Sequence, residues 1–112
     1  MPSALAEKHC APVPAGTAPL RGDALRRLAA ETPKWEVISE HELRRKFAFP
    51  DFASALQFVN AIGAIAEREQ HHPDISLGWG KAAVTTWTHS VNGLSENDFI
   101  LAAQIDRLPQ AS

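Results

Sequence analysis

Three of the five histidines fall between positions 71 and 89: His71 and His72 are adjacent, and His89 follows a β-branched run. An imidazole titrates near about pH 6.5, so such a cluster can give and take protons at physiological pH. Helical periodicity places His71 and His72 at a helix C-terminus, where the backbone dipole favours the charged ring. Glu67 lies one helical turn before His71 and is spaced to orient it or favour its proton. The competing reading of a His-His pair at a helix end is two solvated side chains with no chemical role. No metal is expected, because adjacent rings point in different directions, Cys10 is remote and no His-x-x-x-His pair exists. Asp98 occupies the acidic position of a Ser95-Glu96-Asn97-Asp98 capping box, so a helix cap and a site carboxylate compete for it. Trp79 reads first as a core aromatic.

These side chains need elements to position them. A first helix is expected from Asp23, as N-cap, to Glu31, with Leu25, Leu28 and Ala29 as its apolar stripe and Thr32-Pro33 as its stop. Trp35-Glu36-Val37 alternates as a half-buried strand, and Ser39-Glu40-His41 makes a turn. Leu43, Arg45, Phe47 and Phe49 then share one face of a second strand, with Arg44, Lys46 and Ala48 on the other. Asp51 N-caps the longest periodic segment, in which Phe52, Leu56, Val59, Ile62 and Ala66 form the expected core stripe and Pro73 ends the run. Ile75, Leu77 and Trp79 alternate, Gly80-Lys81 offers a turn, and Ala82 to Thr88 suits a fourth strand. Leu101, Ile105 and Leu108 mark a last helix after the capping box. The order α-β-β-α-β-β-α, with two hairpins, predicts an α+β single domain: a four-stranded antiparallel sheet with helices packed on one face. Residues 1–20 hold half of the prolines and are expected to be a flexible, dispensable tail, leaving 21–112 as the domain.

Composition narrows the function classes. The chain has 112 residues and a formal charge of −2, which suits one domain and no direct contact with nucleic acid. Arg44-Arg45-Lys46 reads as a solvated run. A lone cysteine forms no internal disulfide and fits a reducing, cytoplasmic setting. No stretch has the length of apolar residues a membrane span needs, and the N-terminus lacks the order of a secretory signal.

The constellation Glu67-x-x-x-His71-His72-Pro73, five residues, Trp79, nine residues, His89, eight residues, Asp98 resembles the signature of the pterin-4a-carbinolamine dehydratase family. Trp35, the run from Phe47 to Phe52, Ala66-Glu67, Thr88-His89 and Gly93-Leu94-Ser95 extend the resemblance across roughly residues 20–108. Trp87, beside His89, and Gly78 and Gly80, flanking Trp79, depart from the family pattern without removing a signature residue.

The resemblance implies dehydration of 4a-hydroxytetrahydrobiopterin to quinonoid dihydrobiopterin, which recycles the pterin of aromatic amino-acid hydroxylases without a cofactor. His71 becomes the principal acid/base group, supported by Glu67, with His89 serving the opposite proton transfer. His72 binds and polarises the pterin, and Asp98 anchors a ring N–H or orients a histidine. Trp79 and Trp35 become either flat walls for the substrate or core residues. Trp87 becomes a pocket wall or a patch covered by another subunit. The family forms homodimers or homotetramers. Its relatives also include non-catalytic binding, assembly and transcription-coactivating proteins, and a role in molybdenum-cofactor metabolism is a further alternative.

Overall fold

Two hairpins build the sheet, and the computed structural model, which describes residues 4–111, shows how each is closed. Strand β1 (Glu36–Ile38) turns into β2 (Glu42–Ala48) through Ser39 and Glu40, both at positive φ, a geometry whose twist matches the flanking strands. Strands β3 (Asp74–Gly78) and β4 (Lys81–Thr86) meet through Trp79 and Gly80. Gly80 takes φ +71, and a side chain there would press on the carbonyl oxygen of Phe49, which leaves the position to glycine. The strand order is β1-β2-β4-β3, antiparallel throughout. With helices α1 (Gly22–Glu31), α2 (Phe52–Glu69) and α3 (Glu96–Asp106), this is the expected α-β-β-α-β-β-α arrangement.

The pleat decides which strand residues enter the core. Leu43, Phe47, Ala82, Val84 and Thr86 are buried under the helices, while Arg44, Lys46 and Lys81 are exposed. Arg45 departs from the solvated run expected of its neighbours. It lies on the core side, pairs with Asp106, donates to the Ala111 carbonyl at 2.8 Å and covers the Phe47 ring at 4.3 Å. Strand alternation alone requires this, because Arg45 shares the face of Leu43 and Phe47.

Three helix expectations shift. Helix α1 begins at Gly22, so Asp23 lies inside the first turn, paired with Arg26, rather than capping it. In α2, Asp51 does cap, accepting from the Ser54 N–H at 2.8 Å, but the buried stripe is Ala55, Phe58, Ile62, Ile65, Ala66 and Glu69. Phe52 and Leu56 are exposed, since the stripe that contains Phe58 meets Phe47 and Phe49, at ring separations of 4.5 and 5.2 Å. Helix α3 is buried from Asn97 to Ile105 instead of along one stripe, and Leu108 lies beyond its end. A helix enclosed on all sides must have cover on its outer face.

That cover is the N-terminal segment. Residues Ala4–Glu7 form a 3-10 turn against α3, with Leu5 only 2% exposed. The expected flexible tail is anchored at Leu5 and, by hydrogen bonds, at Cys10, Ala11 and Val13, while most of its residues stay exposed; residues 1–3 lie outside the described residues. Prolines removed its helix-forming capacity but not its apolar anchor. Among the described residues, no helix is long and apolar enough to cross a membrane.

Candidate active site

The end of α2 sets the geometry of the site. Gln70 takes a left-handed conformation (φ 55, ψ 39), and the N–H groups of Gln70 and His71 both turn back to the Ala66 carbonyl. The chain thus leaves the helix one residue before His71. The i,i+4 relation between Glu67 and His71 is broken, and the expected support of His71 by Glu67 does not form. Glu67 instead meets His72, Oε2 to Nε2 at 2.5 Å, in an exposed pair.

His71 finds another carboxylate. Its Nε2 lies 2.7 Å from Oδ1 of Asp98, a residue with 0% exposure at the start of α3. Oδ1 also accepts from the Thr86 hydroxyl at 2.7 Å. Oδ2 accepts from the Thr88 hydroxyl at 2.7 Å and from the Ser95 N–H at 3.0 Å, the reciprocal half of the capping box. Asp98 is thus both helix cap and histidine partner. Four donors from β4, the following loop, α3 and the α2 exit hold its oxygens in one orientation. With the carboxylate as acceptor, Nε2 of His71 carries a proton and Nδ1 remains as the position that exchanges one. This is the orienting relation that a buried aspartate supplies to a catalytic histidine in general.

His71 and His72 line a cleft of about 660 Å³ together with Trp87, Thr88, His89 and Ser90. His89 does not close a strand: β4 ends at Thr86, and His89 opens a 3-10 turn to Val91. Its ring stacks on Trp87 with centroids 3.7 Å apart and planes 20° from parallel. Trp87 also meets His41 at 4.5 Å. Trp87 is a cleft wall that doubles as a platform for His89.

The other two tryptophans are elsewhere. Trp35 is 5% exposed, donates from Nε1 to Asp106 at 2.9 Å and packs edge-on against Phe47, so it is core. Trp79 is 71% exposed at the β3–β4 turn, at the end of that hairpin away from the histidines, and is neither core nor cleft wall in this chain. Among the described residues, no group of three or more His, Cys, Asp or Glu side chains could hold a metal ion.

The profile of the family described as pterin 4 alpha carbinolamine dehydratase matches residues 18–108. The chain belongs to this family. It is 54% identical over 106 residues to a protein of Rubrobacter xylanophilus provisionally named pterin-4-alpha-carbinolamine dehydratase, covering 95% of this chain and 99% of that one. A similarly named protein of Alkaliphilus metalliredigens is 47% identical over 104 residues, covering 92% and 94%. Among solved structures, the fold resembles a transcriptional coactivator/pterin dehydratase from Brucella melitensis (TM-score 0.74, 27% identity, 79% of this chain and 95% of that chain). It also resembles a pterin dehydratase-like RuBisCO assembly factor of the α-carboxysome (TM-score 0.60, 26% identity, 70% and 93%).

Within this dehydratase-family fold, the cleft also has lining residues that no sequence motif marked. Cys10, Ala11, Pro12 and Val13 line it, as do Arg68, Glu69 and Asn97. Glu69 is a buried carboxylate. Burial opposes its ionisation, but hydrogen bonds from the Cys10 amide, His9, Arg68 and Gln104 outweigh that and lower its pKa from 4.5 to about 2. Cys10 goes the other way: burial, then the charges of Glu69 and Asp98, push its thiol up to about 12, so it is no nucleophile near neutral pH. The one legible signal for these residues was a glutamate on the apolar side of α2, a residue type that is buried only with partners.

Proposed function

We propose that this chain dehydrates 4a-hydroxytetrahydropterins to quinonoid dihydropterins. The observation that carries the reading is His71 fixed by the buried Asp98 in a cleft that also holds His72 and His89. The reaction breaks the C4a–O bond, removes the N5 proton, forms a C4a=N5 double bond and releases water. It needs one group to accept the N5 proton and one to protonate the departing hydroxide. In this reading His71, oriented through Nε2, exchanges a proton at Nδ1, and His89, which lines the same cleft, serves the other transfer. His72 binds and polarises the pterin. No step calls for a metal, a redox partner or a covalent intermediate.

A non-catalytic role has support from the likeness to the RuBisCO assembly factor. The carboxylate–histidine pair favours catalysis, because a scaffold gains nothing from aiming an imidazole into a cleft. The exposed Phe52 and Leu56 on α2 suit a second copy of the chain, giving a homodimer or homotetramer. Turnover of freshly generated 4a-hydroxytetrahydropterin by the purified protein tests the proposal, and dehydration no faster than the spontaneous reaction refutes it. Activity should survive a chelator. Loss with EDTA and recovery with zinc would overturn the metal-free chemistry.

A further inference from the structure

Residues 10–13 lie outside the span 18–108 matched by the family profile, yet they form one wall of the cleft. Their attachment is built from three sides. The Cys10 N–H donates to Oε1 of Glu69 at 2.7 Å, tying the segment to the end of α2 that presents His71. The side-chain amide of Asn97 grips both backbone groups of Ala11, accepting from its N–H at 3.1 Å and donating to its carbonyl at 2.7 Å, as a neighbouring strand would. The Val13 carbonyl accepts from the Ser90 hydroxyl at 2.9 Å, beside His89. Further on, the Leu20 N–H donates to the Leu94 carbonyl at 2.8 Å. Gly93 leaves room for Pro19, since a Cβ there would come within 2.8 Å of the proline ring. The segment is a strap tied at both ends, running from the α2 exit to the turn that carries His89.

Its chemistry differs from that of the rest of the cleft. The backbone groups of Ala11 are consumed by Asn97, and Pro12 has no N–H to offer. What it presents to the cleft is the small apolar set Ala11, Pro12 and Val13 beside the imidazoles. A flat heterocycle processed by the histidines needs an apolar surface to pack against.

We propose that Ala11–Val13 is a substrate-binding wall, an affinity and specificity element for the pterin ring supplied from outside the span that the family profile matches. The inference rests on the dehydratase reading. A wall contacts the ring equally before and during the reaction, so it acts on KM and not on kcat.

The test uses the full chain with Val13→Asp and Ala11→Trp, and Ala15→Asp as an exposed control outside the cleft. Calorimetric titration with 7,8-dihydrobiopterin reads binding without turnover, and steady-state dehydration reads KM and kcat. Ala11 is exposed, so its variant should keep the fold even if Val13→Asp does not. The expected result is about a tenfold rise in Kd and KM for both wall variants, kcat within about twofold, and an unchanged control. Wild-type binding with unaltered Kd in the variants overturns the wall and leaves the dehydratase reading standing. A fall in kcat at constant Kd also overturns it, placing the effect on the histidines. A wild-type protein that neither binds nor converts pterins sinks both proposals at their common root.

Discussion

Two carboxylates that sequence spacing made look alike do different work in the folded chain. Glu67 pairs with His72 in solvent, where an ion pair contributes about 0–1 kcal/mol, whereas Asp98 holds His71 from a buried position. His71→Ala should therefore lower the dehydration rate by roughly 10²-fold or more, and Glu67→Gln should stay within a few-fold of wild type. Equal losses in the two variants would return Glu67 to the support of His71. Asp98→Asn is the sharper probe, because it keeps the shape but turns one acceptor into a donor among four donors. Thermal melts should show a loss on the order of 1–3 kcal/mol, with turnover falling far more than stability explains. The sequence made the importance of Asp98 legible through its capping box and its distance from His89. Cap and histidine partner were compatible readings of Asp98, but the Thr86 and Thr88 hydroxyls that hold it were not legible, because they reach it only once β4 is paired. Glu67 misled for a local reason: the left-handed Gln70 ends the helical phase that the spacing assumed.

Elements explain what residues cannot. Strand alternation and capping signals located both hairpins and the three helices, since those patterns are local. The phase of α2 and the burial of α3 depend on what packs against them, and the strap's docking depends on Glu69, Asn97 and Gln104, more than fifty residues downstream. Glu69 makes that docking sensitive to acid. Its carboxyl titrates at about 2 when folded, against 4.5 ordinarily, so its contribution is complete above about pH 4.5 and is lost as pH falls toward 2. Urea unfolding midpoints from pH 6 to pH 2 should fall across that window in wild type. Glu69→Gln should start less stable by a few kcal/mol and show a shallower decline. Parallel curves for the two proteins would remove Glu69 from the anchoring role.

Assembly and turnover belong to the whole molecule. Phe52 at 43% and Leu56 at 39% exposure leave an apolar stripe on α2 that packing within one chain does not use. Leu56→Asp should convert a wild-type oligomer to a smaller species in light scattering, with the monomer melt little changed; a wild-type monomer would contradict the assignment of this face. The fold was legible as a whole because antiparallel hairpins and capped helices are written in neighbouring residues. The histidines of the cleft were legible, but Cys10 to Val13 were not, since they belong to a proline-rich segment with no periodic pattern to read. The proposed dehydration turns on proton exchange at a carboxylate-held histidine. Stopped-flow absorbance with freshly generated 4a-hydroxytetrahydropterin, run with wild type and His71→Ala, tests it most directly. Quinonoid product should form far above the spontaneous rate with wild type and close to that rate with the variant. Wild-type protein that leaves the spontaneous rate unchanged, or a His71→Ala variant as fast as wild type, would contradict it.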